Sequence, residues 1–344
     1  TLLVDAYRSK KYPQYERLIP KNYFKHQLNI SMFISFFPHL VAGPVIKAHD
    51  LIPQIKQKVI NEINWNRAIK NLILGFFLKM VIADNLKDFT LSMQYPHFID
   101  NSSMNLLFMI FAYSFQIFSD FAGYSLIAIG LALLFGYELM TNFNFPYISK
   151  SFQEFWRRWH ISLSSFLKEY LYYPLGGNRI SKSRTYLNLF IVMFLGGLWH
   201  GAAWSYAIWG SFHGLGLAIE KLLKDKINLK LPTFFNTIKM LWIFICVTFA
   251  WLLFIFPSFN QVIIFCKCLY NNTGIYPNYK SVFFIILYSL PPIVYHLYYL
   301  YKENAKVNAK VNKLIRLEPY VYGIMFFLIL VNSGISRAFI YFQF

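Results

Sequence analysis

The chain has 344 residues, of which 57% are hydrophobic, 20% aromatic and only 14% charged, against about 25% charged in a typical soluble domain. Thirty-three Lys and Arg against 15 Asp and Glu leave a net charge of +18; that is too little charge to coat a globule this apolar, so the surrounding solvent is largely lipid. The basic excess lies in the loops between apolar runs rather than on one face, which argues against a nucleic-acid partner.

Stretches without Asp, Glu, Lys or Arg run over 26–46, 101–119, 121–137, 185–219, 240–266, 281–301 and 319–336. Most reach the roughly 20 residues that span a bilayer core. Residues 71–83, interrupted only by Lys79, are a further candidate. The run 26–46 carries Pro38, Gly43 and Pro44 between two basic loops, so a re-entrant hairpin is expected there. Residues 101–137 must cross an odd number of times, as a long tilted or broken helix containing Asp120, a residue expected either to glue helices together or to line a cavity. The run 185–219 begins and ends at basic loops and holds six glycines between 196 and 216. With Gly210-x-x-x-Gly214 it predicts two closely packed intramembrane segments.

The loops carry +4 over 1–27, +3 over 47–70, −2 over 84–100, +4 over 138–184, +3 over 220–239, +2 over 267–280 and +3 over 302–318. The positive-inside rule places the strongly basic loops in the cytoplasm, with 84–100 and 267–280 outside. Within 138–184 a helix over 151–173 is expected, opened by the capping box Ser151-Phe-Gln-Glu154 and closed by Pro174 with Gly176-Gly177. Phe152, Trp156, Trp159, Leu163, Leu167 and Tyr170 fall on one face of it, so it should lie along the membrane. The doubled Ala-Lys-Val-Asn of 305–312 predicts a solvated helical face, and Cys246, Cys266 and Cys268, without metal spacing, are expected as small buried apolar residues.

His200 lies mid-run in Gly196-Gly-Leu-Trp-His-Gly-Ala-Ala-Trp204, and His160 falls on the apolar face of the amphipathic helix. An ionisable ring inside a membrane segment is by default functional, although a neutral imidazole bonded to a backbone carbonyl would also be tolerated. Neither has a second His or carboxylate three or four residues away, so no metal is expected. His213 and His39 are expected to be structural. The adjacent Arg157 and Arg158 suit either a phosphate group or lipid headgroups. The turn Gly176-Gly-Asn-Arg179 offers backbone N–H groups to an anion. A transporter relaying protons through His200 and Asp120 is the competing class, but it would want internal repeats and facing carboxylates, and none is visible.

The segments FFPHLVAGPVIK (36–47), FSDFAGYSLIAIGLALLFGY (118–137), NFNFPYISKSFQEFWRRWHISLSSFLKEYLYYPLGGNR (142–179) and RTYLNLFIVMFLGGLWHGAAWSYAIWGSFHGLGLAIEK (184–221) resemble the membrane-bound O-acyltransferase family. Within it they are most similar to the bacterial polysaccharide O-acetyltransferases of the alginate O-acetylation type. The resemblance implies an all-α, multi-pass protein of the cell membrane: a single domain over 1–344, with a ring of helices around a central tunnel. It implies His200 as the catalytic histidine, with His160 at the family's second polar position. Arg157, Arg158, Trp199, Asn144 and Asp120 are then expected to contact substrate. Acetyl-CoA is the implied donor, with no bound cofactor, and the acceptor is an exported polysaccharide or a secreted partner protein. Leu126, after Gly-Tyr-Ser, is closer to the relatives that move D-alanine onto teichoic acids, whereas Gly176-Gly-Asn-Arg179 favours the polysaccharide branch. The opening TLLVDAYRSK resembles an internal family segment, so the usual N-terminal helices are expected to precede it.

Overall fold

The computed structural model describes residues 1–9, 20, 22–40, 43–201, 203–226, 235–304 and 316–335, and among the described residues every regular element is helical. A short helix α1 (Leu2–Ser9) is followed by α2 (Tyr23–Ser35), which stops where Phe36 turns extended ahead of Pro38. A single turn, α3 (Ala48–Leu51), leads to α4 (Trp65–Phe76), capped by the Asn64 side chain. The chain then runs on through a π-helical stretch, Phe77–Ala83, into α5 (Asp84–Thr90). Against this segment lies α6 (Ser103–Leu134), one uninterrupted helix of 32 residues. At 1.5 Å per residue it is about 48 Å long, more than the roughly 30 Å hydrocarbon core, so it must tilt or protrude.

Helices α4 and α6 approach closely because Gly75 and Gly123 face each other: a Cβ on Gly123 would lie 2.8 Å from the Gly75 carbonyl oxygen. Just beyond, the buried Lys79 ammonium lies 2.9 Å from Asp120 on α6 and also bonds Asp84. Asp120 is thus ion-paired between helices, the gluing role of the two expected from sequence.

The expected helix over 151–173 is broken. Helix α7 (Phe152–Arg158) and α8 (Ile161–Leu167) are separated by Trp159 and His160, and His160 takes a left-handed φ of 43°. No Gly or Pro marks this break, and a 100° periodicity count does not register it. A π-helical turn, Lys168–Tyr172, follows α8. At the turn after it, both glycines have positive φ, and Asn188 donates to the carbonyls of Leu175 and Gly177.

Helices α9 (Lys182–Trp199) and α10 (Trp204–Lys226) form the expected hairpin. A Cβ on Gly197 would sit 2.3 Å from the Tyr206 carbonyl, and one on Gly210 2.4 Å from the Met193 carbonyl. Because these neighbours are backbone, they cannot swing aside. Gly210→Ala should therefore force α9 and α10 apart at a cost of about 1 to 3 kcal/mol. A lowered midpoint of thermal unfolding in detergent checks this, with Gly274→Ala, where a Cβ meets nothing within 4 Å, as the control.

The remaining elements are α11 (Phe235–Ala250), α12 (Leu252–Ile255), α13 (Phe259–Asn271), α14 (Tyr279–Asn304, containing Pro291 and Pro292) and α15 (Glu318–Val331). Among the described residues three helical segments are long and apolar enough to cross a membrane: Ser103–Leu134, Phe235–Ile255 and Tyr279–Glu303. The cysteines are not buried as expected: Cys246 and Cys268 are half-buried and Cys266 is exposed. The Ala-Lys-Val-Asn repeat lies outside the described residues.

Helix α1 is held by a polar network. The Asp5 carboxylate accepts from Tyr170 (2.6 Å) and His49 (3.1 Å), while Arg8 and Lys47 each bond Glu169, at 3.0 and 2.7 Å. The hydrogen bond to Asp5 raises the His49 pKa, with the Asp50 and Glu169 charges adding to it. Burial pushes Asp5 up, but its bonds from His49 and Tyr170 outweigh that and leave its pKa lowered. The His49 contribution is complete below about pH 6.5, its unfolded value, and is lost as pH rises through its higher folded value. The Asp5 contribution is complete above about pH 3.9 and is lost as pH falls through its lower folded value. The protection factors of residues 2–9, intrinsic hydrogen-exchange rates divided by the observed rates at each pH, should accordingly be highest between those limits and fall above neutrality. His49→Gln should flatten the fall in protection on the alkaline side.

Candidate functional site

Two histidines anchor the site, each placed where a helix ends. His200 is the C-terminal cap of α9; its N–H reaches the Gly197 carbonyl at 3.0 Å, and the helix ends there before the chain restarts in α10. Its ring is buried and met nearly edge-on by Trp209 and Phe254, at centroid distances of 5.4 and 5.0 Å. Trp199, the preceding residue, is 5.3 Å away but largely exposed.

His160 is buried at the break between α7 and α8, with Phe121 of α6 4.6 Å from its ring. Its Nδ1 lies 3.0 Å from Asn142 Oδ1. That amide is oriented by Ser162, whose backbone N–H and hydroxyl both meet the same oxygen, at 3.2 and 2.8 Å. A backbone N–H can only donate, so the atom is the amide oxygen, and His160 Nδ1 must donate to it as well. His160 Nε2 is thereby left as an acceptor, the form a proton-taking or orienting imidazole requires. The other end of Asn142 donates to Ser125 of α6 at 3.0 Å, and the Ser162 hydroxyl accepts from Val45 N–H at 2.9 Å. The left-handed turn at His160 is thus locked by bonds from three separate segments.

Aromatic residues of one buried cluster surround both His160 and His200. Rings link them: Trp159 packs on Trp251 at 5.0 Å, and Trp251 stacks on Trp209 at 5.9 Å. Such walls exclude water, and a ring nitrogen between them can remove a proton from a hydroxyl without competing hydrolysis.

The other expected site residues divide. Trp199 borders His200. Asp120, one residue before Phe121, is engaged with Lys79 and has a structural partner. Arg157 is exposed, whereas Arg158 is bonded to Glu154 at 3.0 Å, lies 3.8 Å from Glu303 and packs over Tyr299. Asn144 is exposed and acts through its backbone: its N–H donates to the Arg158 carbonyl and its own carbonyl accepts from the Arg158 guanidinium. Asn142, two residues earlier, is the amide that bonds the histidine. Nothing in a single sequence separates the two asparagines of Asn-Phe-Asn-Phe, so Asn142 carries no mark of its own there. His213 is buried and its Nδ1 lies 3.3 Å from the Trp156 indole nitrogen, as the structural reading expected. A small chamber bordered by Leu78, Phe118, Ser125, Asn142, Phe143 and Tyr295 adjoins this network.

Residues 25–264 match the family described as MBOAT, membrane-bound O-acyltransferase family. The chain is 42% identical over 233 residues to a Pseudomonas putida protein named probable alginate O-acetylase, an alignment covering 67% of this chain and 46% of that protein. It is 40% identical over 239 residues to a peptidoglycan O-acetyltransferase of Helicobacter pylori, covering 65% and 45%. A teichoic acid D-alanyltransferase of Bacillus subtilis is more distant, at 30% over 196 residues, covering 53% and 49%. The chain spans about half the length of the curated relatives it matches.

Proposed function

The chain belongs to the membrane-bound O-acyltransferase family, and from that premise we propose that it transfers an acetyl group from a cytoplasmic thioester to a hydroxyl of an exported cell-surface polysaccharide. The observation that carries this reading is the pair of buried histidines in one aromatic enclosure, both within the matched region. Acetyl rather than D-alanyl transfer is supported by the higher identity to the O-acetylating relatives. In this reading the helices ring a tunnel whose two mouths admit donor and acceptor from opposite sides of the cell membrane.

His200 acts as general base, taking the proton of the attacking hydroxyl. His160, fixed by Asn142, holds and polarises the reacting groups through Nε2. Acetyl-CoA is the proposed donor, a substrate rather than a resident cofactor, and the acceptor is the polysaccharide itself or a secreted protein that passes the acetyl group on. The test supplies labelled acetyl-CoA, and separately a labelled D-alanyl thioester, to membranes bearing the full-length protein. Acetyl label in polymer supports the proposal; D-alanyl label alone would replace it with teichoic acid modification.

Of the adjacent pair, Arg157 is the one proposed to meet donor phosphates, since Arg158 is bonded to Glu154 and the Asn144 carbonyl. Losing a charge-assisted hydrogen bond costs about 1.5 to 3 kcal/mol. Arg157→Gln should therefore raise the apparent donor KM by about tenfold or more with a smaller effect on kcat. An unchanged KM would assign the residue to lipid headgroups.

A further inference from the structure

Beside His200 lies a set of buried hydrogen-bond donors that find no acceptor among the described residues. The indole nitrogens of Trp209 and Trp251 have no hydrogen-bond partner among the described residues, although the two side chains are only 2% and 1% exposed. His213, fully buried, adds a third. Its Nδ1 accepts from the Trp156 indole, so the ring proton sits on Nε2, and that nitrogen also lacks a partner among the described residues. The three rings are contiguous: Trp209 lies 4.8 Å from His213 and 5.9 Å from Trp251, and the His200 ring is 5.4 Å from Trp209.

Buried N–H groups are almost always paired, because leaving one dry and unpaired costs free energy. An indole N–H is a donor with no acceptor capacity, so two tryptophans and a donor imidazole cannot satisfy one another. An acceptor oxygen from outside these side chains is needed to complete them. Such preorganised donors in a dry site stabilise an oxygen on which negative charge develops.

Resting on the acyltransferase reading, we infer that the Trp209 and Trp251 indole N–H groups, with His213 Nε2–H behind them, bind the carbonyl oxygen of the thioester and hold its negative charge during transfer. The acceptor oxygen bonds to the acyl carbon while its proton passes to a His200 ring nitrogen. The carbonyl π pair moves onto oxygen, which accepts the indole hydrogen bonds. When the pair returns, the C–S bond breaks, and the departing thiolate takes the proton from His200. The two tryptophans are catalytic residues in this scheme, and His213 positions Trp209 while presenting its own donor.

The experiment uses the full-length protein in membranes with Trp209→Phe, Trp251→Phe, and a variant carrying 3-benzothienylalanine at 209, which keeps the bicyclic shape but puts sulfur where the N–H was. Each should lose about 10²-fold or more in kcat with little change in donor KM. The benzothienyl variant answers the objection that phenylalanine leaves a hole. Separately, a coenzyme A ketone, with CH₂ in place of the thioester sulfur and ¹³C at the carbonyl, should show a downfield carbonyl resonance on binding. That shift should be lost in the benzothienyl variant. Unchanged kcat in all three variants, or a carbonyl resonance that does not move, overturns the inference. If the shift appears but no acyl group is transferred, the proposed function fails and the donor pocket stands.

Discussion

Replacing His200 by alanine should leave an inserted, folded protein that transfers almost no acyl group. A positioned general base contributes about 10²- to 10⁴-fold, and His200 sits where its removal does little structural damage. It caps α9 through its backbone N–H, and its ring packs against Trp209 and Phe254. The α9–α10 crossing rests on Gly197, Gly210 and Gly214, none of which is touched. Protein amount, trypsin sensitivity and initial transfer rate measured together check the outcome. Near-normal transfer at equal abundance would falsify the general-base role and reopen a proton-relaying transporter, for which solute uptake becomes the assay.

The second large effect is expected at His160 and Asn142 together. His160→Ala removes the acceptor nitrogen and places alanine at φ 43°, a conformation that costs a Cβ-bearing residue roughly 1 kcal/mol or more. His160→Asn should be milder on both counts, since asparagine tolerates the left-handed region and its amide oxygen still accepts. Asn142→Ala should be nearly as damaging as His160→Ala, because it strips the oxygen that orients His160 and pairs Ser162. Asn142→Asp keeps an acceptor at that position and should retain more activity than alanine. The ratio of the double variant to the two singles decides the matter. If Asn142 works only by holding His160, adding Asn142→Ala to His160→Ala should change kcat by less than about threefold, the non-additivity of groups acting as a unit.

The three membrane-length helices were legible because a bilayer core demands long charge-poor runs, and each of them falls on such runs. The uninterrupted α6 and the glycine-packed α9–α10 hairpin follow directly from such runs. The break at His160 was not legible, because it comes from tertiary bonds to Asn142 and not from a local breaker. Periodicity over Phe152, Trp156, Trp159 and Leu163 continues smoothly through a place where the backbone reverses its sign of φ. Lys79 and Asp120 were each conspicuous as charges in apolar runs, but that they pair is seen only in the structure. Asn142 had no such mark, and the choice of Asn144 in its stead shows how an amide's worth depends on what faces it. The tryptophans at 209 and 251 were hidden for a different reason: in a chain this rich in aromatics, only the absence of a partner sets a ring apart.

The π-helical stretch Phe77–Ala83 bears on how the molecule is made. A wider helical turn leaves backbone groups that the ordinary ladder would have paired, and here the Met80 carbonyl receives the Gly334 N–H at 2.9 Å while Asn85 donates to the Asn332 carbonyl at 3.0 Å. Gly334 fits against Asp84 and Asn85 because it has no side chain; a Cβ there would lie 2.7 Å from backbone. The ribosome delivers Asn332 247 residues after Asn85. These two bonds therefore form only once a late segment of the same polypeptide packs back against this early helical stretch. Nascent chains stalled before residue 332 should engage membrane chaperones for longer than those stalled after 335, and the timing of release by the insertion machinery, rather than the strength of any one bond, is where this late pairing would be felt in the cell.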